Sequence, residues 1–179
     1  MIALHDRFAG ALAALAPTLL PTLARLVFAG VLLSYFWTSA LTKIGPGIGG
    51  LLSPTDGAYI QIFPRAMEAA GYDSSQLTSY HWAVVVAGTW AELLLPLCLV
   101  LGLFARLAAL GMIGFVIVQS LTDIYGHGVG GADLGRWFDA DSGALIADQR
   151  ALWIVLLAGI AMLGAGPLSL DRVLTRNRR

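Results

Sequence analysis

Apolar residues dominate four stretches of this chain, near residues 22–41, 82–104, 107–125 and 151–168. A helix needs roughly 20 mainly apolar residues to cross a bilayer, so each stretch reads as a span. The first is entered through Pro21. Arg106 alone separates the second from the third, in "LFARLAAL". A connection that short makes those two helices antiparallel neighbours. Ahead of the spans, Leu4, Phe8, Leu12, Leu15 and Leu19 recur at helical spacing. That stripe predicts an amphipathic helix over residues 1–20, lying in the membrane interface and ending near Pro17. Asp6, in what would be the basic region, argues against a cleaved signal. The expected architecture is all-α and integral to a membrane. A four-helix bundle over residues 21–174 follows the interfacial helix and precedes a short basic tail, 175–179.

Composition agrees. Only 12% of the 179 residues are charged and 58% are hydrophobic, against about 25% charged in an ordinary soluble domain. The formal net charge of zero offers nothing to nucleic acid. Cys98 is the single cysteine, set in an apolar run, so neither an intrachain disulfide nor a reactive thiolate is expected. With four crossings both termini share a side, and Arg7, Arg25, Arg106, Arg172, Arg176, Arg178 and Arg179 lie there, seven of the 11 basic residues. The excess of Lys and Arg predicts cytoplasmic termini in a bacterial or archaeal inner membrane. The loops near 42–81 and 126–150 then face outward. In the first, "KIGPGIGGLLSPTDG" reads as a flexible return to the interface, with no phosphate-loop ending, and a short helix is expected after Pro64.

The candidate chemistry lies in the polar residues that interrupt the spans, where each is a functional candidate by default. Gln119, Asp123 and His127 are four apart in "FVIVQSLTDIYGHG", one face of a helix. With Arg106 as the inner boundary, a rise of 1.5 Å per residue puts Glu92 about 21 Å and Gln119 about 20 Å up their helices. Asp123 is about one turn further out and His127 about two, while Lys43 ends the first helix about 27 Å above Arg25. Lys43, Glu92, Gln119 and Asp123 thus form one layer, with Lys43 able to neutralise Glu92 or Asp123. His127 and His81 extend it toward water. Glu92, Asp123 and His127 are the candidates for proton chemistry. Lys43, Gln119, Trp37 and Trp90 are candidates for holding a ligand, the two tryptophans as walls of a flat pocket beside Glu92. Tyr35, Phe36, Tyr80, Trp82, Tyr125 and Trp153 read mostly as an interfacial belt. At the inner end Arg25 and Asp171 are expected to pair, with Arg106 at the same level, as a brace between helix ends. His5, His81 and His127 are scattered and make no metal set, and no haem, flavin or iron–sulfur signature occurs. Gly111, Gly114, Gly159 and Gly164 permit close helix contacts, within one chain or between two.

Several of these pieces resemble the DoxX family. "RLVFAGVLLSYFWTSALTKI" is similar to its first helix, with an Arg at the start and a Lys at the outer end. "AELLLPLCLVLGLFARLAALGMIG" resembles its second and third helices with the tight turn between them, and "GAGPLSLDRVL" its closing "SLD" element. The resemblance runs from Arg25 to Leu174 and places Arg25, Lys43, Glu92, Arg106 and Asp171 on the family's recurrent polar positions. It implies a small four-helix membrane protein working with redox or sulfur-stress systems, as does the small subunit of archaeal thiosulfate:quinone oxidoreductase. The expected function is therefore a membrane subunit of an oxidoreductase system. It would bind a quinone or a small oxidisable solute near Glu92 and take electrons from a partner redox protein. A solute transporter, or an anchor for a partner enzyme, are the alternatives.

Overall fold

The structure, a computed structural model, describes residues 1–176 and is all-helical. Its longest element, α1, is a single 42-residue helix, Ile2–Lys43. At 1.5 Å per residue it is about 63 Å long, twice the hydrocarbon thickness of a bilayer. The expected end near Pro17 does not occur: both Pro17 and Pro21 lie inside the helix. Each proline forfeits one backbone hydrogen bond, but the Ala- and Leu-rich runs on either side are strong helix formers and carry the helix through. The N-terminal stripe is thus continuous with the first span and not a separate element. Residues before Pro21 project from the bundle, all exposed except half-buried Ala16.

Two short helices, α2 (Asp56–Ile62) and α3 (Pro64–Ala69), follow. Pro64 opens α3 at a position where its missing N–H is no loss, as expected from the sequence. Their buried residues Ala58, Tyr59 and Met67 pack with Val85 into a small second core that caps the outer end of the bundle. The Gly-rich segment before them is a compact loop and not a loose return. Gly45 N–H donates to the Gly50 carbonyl, and a Cβ on either glycine would overlap the other strand of the loop.

The remaining long helices are α4 (Ser79–Leu101), α5 (Ala105–Gly126) and α7 (Leu145–Leu163), with the four-residue α6 (Gly131–Leu134) between the last two and α8 (Leu170–Arg176) closing the described chain. With α1 they make four helices long and apolar enough to span a membrane. Each packs on its neighbour in sequence, and α1 packs on α7 to close the ring. The second and third spans lie within a few residues of where apolarity puts them. The fourth does not: it begins six residues earlier than residue 151 and ends at Leu163, not 168. At its start, the Asp148 carboxylate accepts from the Ala144 amide, so polar residues are recruited into the first turn. At its end Gly164, at φ +91°, breaks the helix in a conformation other residues avoid.

The core is built on one stripe of α1, Phe28–Leu32–Phe36, facing Ala105, Ala108, Ala109, Met112 and Val116 of α5 and Leu157 and Ile160 of α7. Phe36 sits at its centre, edge-on to Phe115 and Trp153 with ring centroids 5.9 and 6.2 Å away. Phe36 and Trp153 are therefore core and not interfacial belt. In lipid such packing, rather than release of water, holds helices together, and the alanines of α5 let the backbones approach.

Candidate functional site

Outward of that aromatic core the interhelical space holds polar groups. Three of the four long helices depart from regular α-geometry, two of them at this level and α1 within the core. Single π-turns occur at Ala29–Leu33 of α1, Thr122–Gly126 of α5 and Leu145–Arg150 of α7. Such turns widen a helix by one residue and frequently mark functional sites. Here the second carries Asp123 and the third carries Arg150.

Lys43 and Glu92 meet as the layer estimate anticipates. Lys43 Nζ lies 2.7 Å from Glu92 Oε2, with both side chains about 95% buried (5% and 4% exposed). Ser39, one turn before Lys43, completes the group. Its hydroxyl donates to Glu92 Oε1 at 3.1 Å, while Lys43 Nζ donates to the Ser39 hydroxyl oxygen at 2.6 Å and to the Ser39 carbonyl at 3.2 Å. All three ammonium protons and both carboxylate oxygens are thus engaged, which is what allows so buried a pair. Ser39 escaped notice in the sequence because a serine on an apolar helix is unremarkable. The signal was its four-residue spacing from Lys43.

Asp123 has a different partner from the one expected. Its Oδ2 lies 2.6 Å from Arg150 Nη2, and Arg150 also donates to Ser120 Oγ at 3.2 Å. Arg150 is 2% exposed. It reads from the sequence as a loop residue because its immediate neighbours are polar, but helix α7 begins before it and carries it inward. Gln119 Nε2 donates to the Tyr35 hydroxyl at 3.1 Å, leaving its buried Oε1 without a partner. His127 Nε2 lies 3.0 Å from the Gln61 carbonyl; since a carbonyl only accepts, this nitrogen carries the proton. His81 is not part of the layer: its ring completes a capping box with Thr78 at the start of α4.

Of these residues Ser39, Lys43, Glu92, Gln119, Asp123 and His127 line one cavity of about 460 Å³, within the usual range of a small-molecule site. Its long walls are single faces of two helices: Val84, Ala87, Gly88, Ala91, Glu92 and Leu95 of α4, and Gly111, Gly114, Phe115, Val118, Gln119 and Thr122 of α5. The space exists because so many of these residues are small. A Cβ added to Gly114 would meet nothing within 4 Å. Polar atoms gather at one end, where Ser39, Lys43, Gln61, Asp123 and His127 join Glu92. Val118 on the rim is 62% exposed and lies midway along a span, so the cavity opens on the flank of the bundle.

Trp37 and Trp90 do not line it. Each lies two residues from a lining residue, Ser39 or Glu92, and two residues turn a helix by about 200°. Trp37 instead donates its indole N–H to the Leu93 carbonyl at 3.1 Å. The aromatic carbocycle that does reach the cavity is Phe115.

The inner cluster also differs from expectation. Arg25 forms no ion pair with Asp171. Its guanidinium donates to four carbonyls: Leu99 and Val100 at the end of α4, and Ala165 and Leu168 beyond α7, all at 2.6–2.7 Å. Asp171 instead accepts from the amides of Phe104 and Ala105, which open α5, and Arg106 donates to Ala161 and Met162 at the end of α7. Each charge serves a helix end of opposite sign. Backbone groups freed at helix ends outcompete a side-chain pair because nothing else can satisfy them there. The brace is real, but it runs through the backbone.

Comparison with protein-family models, with curated proteins and with solved structures gave no match.

Proposed function

We propose that the chain is a DoxX-like membrane subunit of a redox system, and that it takes a quinone, or a small oxidisable solute of similar chemistry, into the cavity beside Glu92. The observation that carries this reading is a mainly apolar cavity, open on the flank of the bundle, with a buried Lys43–Glu92 pair at its polar end. A ligand dissolved in the bilayer enters from the side, lays its apolar part against the small residues of α4 and α5, and presents oxygens to the polar end. There, beside the Lys43–Glu92 pair, the unpartnered Gln119 Oε1 accepts from a hydroxyl of the reduced form.

Reducing a quinone to its quinol takes two electrons and two protons. The electrons come from a partner redox protein, and the acids Glu92 and Asp123, with His127 at the outer end, carry the protons. The residues quoted for the DoxX resemblance support the assignment of the system, and the seven basic residues on the terminal side support cytoplasmic termini in a bacterial or archaeal inner membrane. The test is to purify the protein from native membranes and assay extracted quinone. Wild type is expected to retain it. Gly114→Leu, which fills open space without a clash, is expected to fold and lose it, and Glu92→Gln to lower quinone-linked turnover. Absence of bound quinone together with unchanged turnover in Glu92→Gln defeats the reading.

A solute transporter is the second reading, favoured by the charged end of the same cavity, which Lys43, Glu92 and Asp123 line. It predicts flux in proteoliposomes that depends on Glu92 and Lys43 and needs no electron donor.

A further inference from the structure

The opposite end of the bundle holds a second cleft of about 460 Å³, formed where α5 begins, α7 ends and α8 crosses beneath them. Two arginines line it, Arg106 and Arg172. Arg106 spends Nη1 on the carbonyls of Ala161 and Met162, while its Nε and Nη2 make no hydrogen bond among the described residues. The Arg172 side chain likewise makes neither a hydrogen bond nor an ion pair among them. The one acid in the cleft, Asp171, forms no ion pair with either arginine among the described residues; its two oxygens accept from the backbone amides that open α5, so the two guanidinium charges outnumber it.

The surroundings restrict what such a pair of cations can meet. The cleft lies at the level where α5 and α7 end, which for spanning helices is the boundary between hydrocarbon and water. Leu107, 69% exposed, and Leu163, 39% exposed, line it and continue along the apolar flank. A guanidinium edge matches the spacing of two phosphate oxygens, and two such edges over an apolar wall match a phosphate with hydrocarbon attached. Basic clefts of this kind between membrane helices hold anionic head groups.

We propose that this cleft binds a phosphate group between Arg106 and Arg172, supplied by the head group of an anionic phospholipid whose chains lie along Leu107 and Leu163. The site is independent of the cavity beside Glu92.

The test uses the full chain in a non-ionic detergent, titrated separately with phosphatidylglycerol, phosphatidylcholine and inorganic phosphate, and read by native mass spectrometry and thermal shift. One phosphatidylglycerol is expected to bind about tenfold tighter than phosphatidylcholine, and Arg172→Gln to weaken it about tenfold, with Arg172→Lys between. Arg172 is exposed and holds no other side chain, so Arg172→Gln is expected to melt like wild type without lipid. Arg106→Gln also loosens a helix end. If its role were only structural, its melting point would fall while the preference for phosphatidylglycerol stayed. Inorganic phosphate binding as tightly as the lipid keeps the phosphate chemistry and replaces the lipid with a soluble anion. Equal binding of the two lipids, or phosphatidylglycerol binding untouched by Arg172→Gln, overturns the proposal.

Discussion

Replacing Lys43 with methionine tests whether the buried pair is held by mutual need. The substitution keeps the aliphatic stem and removes the charge. Glu92, 3% exposed, is then left with the Ser39 hydroxyl at 3.1 Å as its one remaining side-chain partner. Breaking a buried pair from one side typically costs about 3–5 kcal/mol, because the surviving charge is stranded. The Ser39 hydroxyl still donates to the carboxylate, which places the expected cost near the lower end, ~3 kcal/mol. For a chain of this size that corresponds to a fall of roughly 6–12 °C in melting temperature. The double variant Lys43→Met, Glu92→Gln removes both charges and is expected to recover to within about 1 kcal/mol of wild type. The five tryptophans allow melting to be followed by intrinsic fluorescence in detergent. A double variant as unstable as Lys43→Met would refute the reasoning, because it would locate the loss in packing around residue 43 and not in a stranded carboxylate. So would a loss below about 1 kcal/mol for the single variant, the size measured for exposed pairs.

The second ion pair is predicted to be lopsided: its arginine is 3% exposed and its aspartate 24%. Asp123→Asn strands the deeper charge and should cost about 3 kcal/mol, whereas Arg150→Met leaves a carboxylate that water can reach and should cost roughly half that; fluorescence-detected melting in detergent ranks the two, and the reverse order contradicts the assignment. Arg25→Lys should lose about 4 kcal/mol or more, since one ammonium with three protons cannot serve four carbonyls, and hydrogen exchange should report fraying at the ends of both α4 and α7. Gly102→Ala should cost about 2–3 kcal/mol by urea or thermal unfolding: Gly102 sits at φ +67°, and a Cβ there would lie 2.7 Å from the Arg25 guanidinium carbon. In the outer loop, hydrogen bonds from Ser75 and Gln76 hold the Asp73 carboxyl below its ordinary value. That contribution is present above the ordinary carboxylate range and lost as pH falls through the lowered value, so the protection of the Ser75 amide, taken relative to its intrinsic exchange rate at each pH, should fall in acid for wild type and be pH-insensitive in Asp73→Ala.

The hydrophobic pattern alone determined four membrane-length helices, the tight turn at Arg106 and the common depth of Lys43, Glu92, Gln119 and Asp123. Runs of apolar residues and a fixed rise per residue are local properties, so they can be read without knowing which helices touch. Even there, apolarity misplaced the ends of α7 and supplied a break at Pro17. A helix end is decided by whether freed backbone groups find partners, as Ala144 does in Asp148.

Which polar residues pair was decided by tertiary structure. Glu92 took Lys43, but Asp123 took Arg150, and Arg25 took backbone carbonyls in place of Asp171. Rotation about a helix axis explains the tryptophans: Trp90 shares Glu92's depth yet points away from the cavity, since depth follows from residue count and facing depends on the neighbouring helix. The cavity itself is a property of two surfaces. Gly111 and Gly114 read in the sequence as places where helices approach; the packing of α4 against α5 bears this out at Gly111, whose Cβ would lie 3.1 Å from Leu95, and leaves open space at Gly114.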